Sequence, residues 1–427
     1  MNNPQNLTDK DHQRNLSLNI FHEMFWGFGI AFHSTYAVIP LFLSTLGAPD
    51  IIIGSVAGVF TISAAVLQIF SAFWGSKIRN ITKAVVAVHG LLLPPILAAG
   101  FIFAFVMPTG QNAWIIYYIC YILFSLSLGF VFPIWADFLE KIHLKEKRGS
   151  FIGISFAFNS AAGFFGGIAV KKLLSSAIPF PANFGYGFLI YAVCIAGATL
   201  LFFMYCTKPI TNHQPDINFH QFLRGVKKIY REDHNLRRYI FSRILLTVNY
   251  PAISLYAVYS QDKLDFDISE AGVFTAITVA VAGISSYAAG KFGDRWGHKN
   301  ALVVVCITYF FALVTSISAQ TMWQIYLIFI FLGMGMGGFF TSAMSLVYEF
   351  AGEKDKKIYF ALIDSLTAPF VLISIVLTGI LIPILSIEVV LKGIGVFIIL
   401  GTLSLIFFTK EPKTVITEPA PVEPFIK

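Results

Sequence analysis

The run IIIGSVAGVFTISAAVLQIF, Ile51 to Phe70, passes twenty residues without a charge. A helix of about that length crosses a hydrocarbon core of about 30 Å, whereas a strand of a membrane barrel alternates polar and apolar side chains over about ten residues. No period-two alternation runs through the stretch, so it reads as a helical span. Outward from it, similar runs divide the chain into about twelve spans: 16–43, 51–74, 84–107, 113–135, 151–170 and 184–206, then 239–259, 271–289, 301–319, 324–350, 359–381 and 388–408. Composition agrees, with 56% hydrophobic and 12% charged residues in 427, where soluble domains carry about 25% charge.

A formal charge of +7 suggests nucleic acid only until its distribution is read. Lys10, Arg14, Lys77, Arg79, Lys83, Lys141, Lys145, Lys147, Arg148, Lys291, Arg295, Lys299, Lys354, Lys356, Lys357, Lys410 and Lys413 occupy alternate loops and the tails. The intervening loops carry only Lys171, Lys172, Lys263 and Lys392. This asymmetry places both termini in the cytoplasm of a cell (inner) membrane protein, as an even number of spans requires. The polar residues 1–15 show no cleavable leader pattern. Cys120, Cys194, Cys206 and Cys306 lie in or beside spans, without metal-ligand or redox spacing.

Residues 207–238 interrupt the apolar pattern between six spans and six. Phe219, Phe222, Leu223, Val226, Ile229 and Tyr230 recur there at helical spacing beside Arg224, Lys227, Lys228 and Arg231, as in a basic amphipathic helix on an anionic leaflet. The expected organisation is a tail (1–15), a six-helix bundle (16–206), this linker (207–238), a second bundle (239–408) and a tail (409–427). EKRGSFIGISFAFNSAAG, from Glu146, aligns with DKKIYFALIDSLTAPFVL, from Asp355. More loosely, WGSKIRNITKAVV, from Trp74, aligns with GKFGDRWGHKNALVV, from Gly290. Both pairs join loops of equal rank, so a six-helix unit is duplicated.

GKFGDRWGHKN, Gly290 to Asn300, is no phosphate loop: it lacks GxGxxG or GK[ST] and follows a membrane span rather than a strand. The spacing Gly290, Asp294, Arg295, Gly297, His298, Lys299 resembles the signature of the major facilitator superfamily, Gly-x-x-x-Asp-[Arg/Lys]-x-Gly-[Arg/Lys]-[Arg/Lys], with His298 where a base is usual. The resemblance extends over nearly the whole chain. It implies twelve transmembrane helices in two pseudo-symmetric bundles around a central cavity lined by the first, fourth, seventh and tenth spans. It also implies that Asp294 faces the N-terminus of the eleventh span and that Arg295 reaches Glu349, a latch that breaks when the cavity opens inward. The first-half copy lacks the acid, so Asp137 or Glu140 would have to serve there.

Polar groups inside spans are costly, about 2.5–3.5 kcal/mol for a central charge on insertion scales, and are therefore functional candidates. His22, Trp26, Gly29, His33, Tyr36 and Pro40 recur at helical spacing and should share a face, with Glu23 beside them. His22, Glu23, His33 and Asp364 are the proton-coupling candidates, set against neutral, hydrogen-bonded structural roles. Arg243, Thr247, Tyr250 and Ser254 share a face of the seventh span. With Asn249, Tyr256, Tyr121, Ser125, Thr341, Ser345, Trp26 and Tyr36 these are candidates for the substrate cavity, although aromatic stripes also serve packing. His89 and Asn159 read as interhelical hydrogen-bond partners. AAGFFGG, Ala161 to Gly167, partly resembles the glycine motif of proton-driven exporters but lacks its proline.

The reading is a monomeric secondary transporter of a small organic solute working by alternating access, coupled to a proton or other ion, without cofactor, metal or nucleic acid. Export of an apolar or aromatic compound stands slightly ahead of proton-coupled uptake of a sugar or monocarboxylate. Arg243 separates the two: an exposed, central guanidinium suits an anion. A non-transporting membrane receptor shares the fold. An enzyme is disfavoured because no nucleophile, metal set or phosphate loop is clustered.

Overall fold

The computed structural model describes residues 7–75, 78, 80–110, 112–144, 147–208, 219–352 and 356–412. Among them every regular element is a helix. The first bundle holds α1 (Asp9–Ile30), α2 (Val38–Thr45), α3 (Asp50–Gly75), α4 (Ile81–Gly90), α5 (Leu93–Phe101), α6 (Ala113–Ile142), α7 (Arg148–Leu174) and α8 (Ala182–Leu201). After the connecting α9 (Phe219–Glu232), the second bundle holds α10 (His234–Leu246), α11 (Asn249–Leu264), α12 (Glu270–Trp296), α13 (His298–Ser318), α14 (Met322–Ala351), α15 (Lys356–Leu385) and α16 (Ile387–Phe408). Eleven stretches among the described residues are long and apolar enough to cross a membrane. The seventh expected span is α10 with α11, each too short to qualify alone, and its most apolar stretch carries Arg243 and Asn249. Large apolar side chains point outward, Phe407, Ile284 and Ile384 being 73%, 72% and 70% exposed. That inside-out pattern is what lipid solvation requires.

Three spans expected to be continuous are broken, and proline explains each. Proline has no N–H, so it leaves the carbonyl four residues back unserved. Pro40 strips Tyr36, Pro94 and Pro95 strip Gly90 and Leu91, and Pro251 strips Thr247. The helices break at 31–37, 91–92 and 247–248. The freed Thr247 carbonyl accepts from Tyr250 N at 3.1 Å and Ser374 Oγ at 3.5 Å, and Ser34 Oγ accepts from Val38 N at 3.0 Å. The first and seventh spans, of equal rank in the two bundles, thus share a break.

The start of α1 and the end of α16 are taken as marking one end of the molecule, called here the terminal end. Asn15 Nδ2 donates to the carbonyls of Ile142 and Cys206, and Asn235 Nδ2 to that of Lys410. The amphipathic α9 also lies there; its Ile229 is buried with Leu236, Tyr239, Tyr359 and Leu362, and Val226 packs beside them, while the side chains of Phe219, Phe222 and Leu223 lie outside the described residues. Arg224, Lys227, Lys228 and Arg231 stay exposed.

Glycine sets how closely the bundles approach. α7 runs between α1 and α12, and its Ala161–Gly167 run serves both. A Cβ at Gly166 would strike the Phe28 carbonyl of α1, while one at Gly167 would strike Gly272 and Ala276 of α12. Small residues at such crossings let backbones meet where lipid offers no hydrophobic drive for association.

Candidate functional site

The first bundle gathers its polar groups inside itself. Glu23 is 3% exposed; one oxygen accepts from Asn159 Nδ2 of α7 at 2.9 Å, and the other lies 3.3 Å from His22 Nδ1. The His22 ring meets Phe202 at 4.9 Å and His89 at 5.9 Å, and its buried Nε2 has no hydrogen-bond partner. Asn159 is thus an interhelical partner, as its sequence position suggests. His89 differs: its Nδ1 donates to Val85 O of its own helix at 2.9 Å, which leaves Nε2 as the acceptor.

Farther along the span, Trp26 sits between His89 and Tyr191. His33 is boxed by Tyr117, Tyr121, Phe124, Phe188 and Tyr191. The stripe from His22 to His33 therefore faces the interior of the first bundle. Tyr36 leaves it, because the break rotates the chain, and its ring hydroxyl comes within reach of Thr275 of α12 in the other bundle. Tyr121 donates to Val56 O of α3 at 2.6 Å, and Ser125 is fully buried in α6; both sit within the first bundle's packing.

The second bundle presents charge differently. Arg243 is half-buried one turn before the α10–α11 break. Its Nη1 donates to Tyr239 OH at 3.1 Å, and its guanidinium lies over the Phe339 ring at 4.6 Å. Among the described residues no ion pair holds it, although Asp364 of α15 lies within electrostatic reach. Tyr250 shares that field and lies within reach of Thr61 of α3, across the bundle boundary. Asn249 Oδ1 and Tyr256 OH are buried without partners. Thr341 is half-buried beside Gly290, and Ser345 is half-buried one turn on.

A group that composition and spacing did not single out closes the far end. Lys171 Nζ of α7 meets Glu270 Oε1 of α12 at 2.6 Å, and Tyr326 OH of α14 donates to the other oxygen at 3.0 Å. Beneath it Ser34 and Thr275 hydroxyls bridge the bundles at 2.9 Å, and Ala57 N donates to Ser254 Oγ at 2.9 Å. Lys171 and Glu270 are 43% and 15% exposed, so the pair is worth about 0.5–1 kcal/mol. Lys171→Glu is expected to slow turnover several-fold in a liposome flux assay. Adding Glu270→Lys should restore it; equal rates in all three proteins would remove the latch.

At the terminal end, α12 runs through Trp296, and Gly297 turns the chain into α13 with φ +96°, a left-handed value that favours glycine. A Cβ there would also strike the Glu411 carboxylate. That carboxylate accepts from Lys299 N at 3.2 Å with both oxygens and so caps α13, where an anion is favoured. Its place in the tail gave no sequence signal. Asp294 is 77% exposed and lies 3.5 Å from His298 Nε2. Arg295 stacks on Trp296 at 4.8 Å. Gly290 has room for a Cβ, whereas Gly293 has none, being packed against the His298 ring. Glu349 stands half-buried in the last turn of α14. Residues 353–355, which precede α15, and Lys77 and Arg79 of the first-half copy lie outside the described residues.

The Major Facilitator Superfamily profile matches residues 24–362 and, overlapping, 239–426. No curated protein sequence matches the chain. Among solved structures, a point mutant of the nucleoside transporter NupG superposes with a TM-score of 0.70 at 12% identity, covering 94% of this chain and 100% of that one. A D-xylose-proton symporter gives 0.66 at 14% identity, with 94% and 99% covered. A POT family transporter in complex with 5-aminolevulinic acid gives 0.71 at 11% identity, with 95% and 97% covered. At such identities the likeness is one of fold.

Proposed function

The chain belongs to the major facilitator superfamily, a transporter family rather than an enzyme family, and on that premise we propose that it moves a small organic solute by alternating access. The two bundles rock about the centre, with the terminal end in the cytoplasm of the cell membrane. The carrying observation is the inter-bundle seal at the far end: Lys171–Glu270, Ser34–Thr275, Ala57–Ser254 and the Gly167–Gly272 crossing. A seal built from one short ion pair, hydroxyl bridges and a glycine crossing opens by rigid-body rocking at modest cost. On this reading a closed far end goes with a cavity open toward the terminal end, and the Asp294 stretch is the gate expected to engage when the far end opens.

The coupling ion is a proton, and Glu23 with His22 is its site. A buried acid held by one amide and one imidazole gains or loses charge with direct consequences for helix packing. Arg243 lacks an ion-pair partner, which favours a solute with an anionic group, and therefore uptake of a charged nutrient over export of an apolar compound. The neighbouring proteins are named for nucleoside and D-xylose transport and for bound 5-aminolevulinic acid, and so do not choose among solutes.

The test is a thermal-shift screen of small metabolites on the purified protein, followed by flux of each binder into liposomes. Flux of a binder that saturates with its affinity is expected. Binding without flux would make the protein a receptor and sink the transport reading.

A further inference from the structure

We propose that Arg243 and Asp364 form the two ends of one recognition site whose ligand is a small zwitterion, its carboxylate on Arg243 and its ammonium on Asp364. The inference rests on the transporter reading of the same cavity and names its substrate class.

α10 and α15 pack together and place opposite charges within electrostatic reach of each other, yet no ion pair joins them. Arg243 spends one N–H on Tyr239 OH and leaves the rest of its fork unused. Among the described residues the Asp364 side chain takes no hydrogen bond, while its backbone carbonyl serves Thr367. Both residues are half-buried, so neither is sealed from a ligand.

A charge inside a bilayer is retained where it is compensated or used, and a lone opposite charge at a distance compensates poorly unless hydrogen bonds complete it. The missing element is a group that fills the gap. An anion alone would neutralise Arg243 and leave Asp364 facing a second negative charge; a cation alone would do the reverse. A zwitterion satisfies both ends and leaves the site neutral.

The walls suit such a ligand. The guanidinium lies 4.6 Å over the Phe339 ring and donates to Tyr239 OH, so it is oriented before binding. Tyr250 and Tyr309 stand in the same field, offering ring surface to a short apolar body. Because Tyr250 stands within reach of Thr61 of the first bundle, a ligand at this site touches a group whose neighbours change when the bundles rock.

The experiment compares matched probes by thermal shift on the wild-type protein: the common amino acids, each beside its deaminated acid and its decarboxylated amine. At least one amino acid is expected to raise the apparent melting temperature by about 2 °C or more, with its acid and amine counterparts inert. Arg243→Ala and Asp364→Asn should each weaken that ligand at least about tenfold, and Asp364→Glu should recover part of the loss. If a charge variant does not fold, the matched probes on wild type decide alone. Stabilisation by acids only, by amines only, or by none of the probes overturns the proposal. A zwitterion that binds but is not carried into liposomes overturns the transport reading and leaves this site standing; carriage of an acid alone does the opposite.

Discussion

Replacing Gly167 with valine is expected to open the far end of the protein and reduce net transport about a hundredfold, with the fold retained. A Cβ at Gly167 meets Ala276 N and Gly272 O, and one at Gly272 meets Lys171 N and Gly167 O. These neighbours are backbone atoms, so no rotamer change relieves the overlap. The remaining relief is a rigid shift of α7 away from α12, which lie in different bundles. Overpacking costs of about 3 kcal/mol become a population shift of about a hundredfold between sealed and open states. The first bundle is spared, because Gly166, not Gly167, faces α1.

The measurement is labelling by a membrane-impermeant thiol reagent, in a background stripped of native cysteines, of a cysteine replacing Thr275. That residue is fully buried under the seal. Labelling from outside should accelerate at least about tenfold in the Gly167→Val protein. Gly153→Val, on the same helix but with open space around it, should change nothing. Unaltered labelling in a folded Gly167→Val protein would mean the crossing does not control the seal.

This crossing illustrates what the sequence carried. Apolar runs were enough for an all-helical membrane fold of about twelve spans, because bilayer thickness and backbone hydrogen bonding leave few other solutions. The run from Ala161 to Gly167 was visible as a motif, but its role as a strip packed on two sides was not, since that depends on which helices flank α7. The breaks were legible in principle: Pro40, Pro94, Pro95 and Pro251 each mark a lost hydrogen bond. Treating the first span as one straight helix put Tyr36 on the face of His33, whereas the break turns it to Thr275. Lys171 and Glu270 lie almost a hundred residues apart (270 − 171 = 99), and nothing local pairs them. Glu411 is likewise legible only once the tail folds back on α13.

Glu23→Gln is expected to abolish proton-driven accumulation while leaving exchange of solute intact. Glutamine has the shape of a protonated glutamate, and its carbonyl can still accept from Asn159 Nδ2, which now lies 2.9 Å from a Glu23 oxygen. Packing of α1 on α7 therefore survives, and what disappears is the ability to change charge. For one proton per solute, a pH difference of one unit is worth about 1.4 kcal/mol and holds about a tenfold gradient. In liposomes that ratio should fall to about one in the Glu23→Gln protein, because an uncoupled carrier only equilibrates its solute. Counterflow, which needs no net proton movement, should continue. His22→Gln separates the roles within the pair: a relay through the imidazole, 3.3 Å from Glu23, requires its loss to slow accumulation without lowering the final ratio. If the Glu23→Gln protein still holds a tenfold gradient, the carboxylate is a structural anchor for Asn159 and the proton passes elsewhere. Asp364 is then the next acid to test, and its replacement by asparagine would report on coupling and on ligand affinity at once.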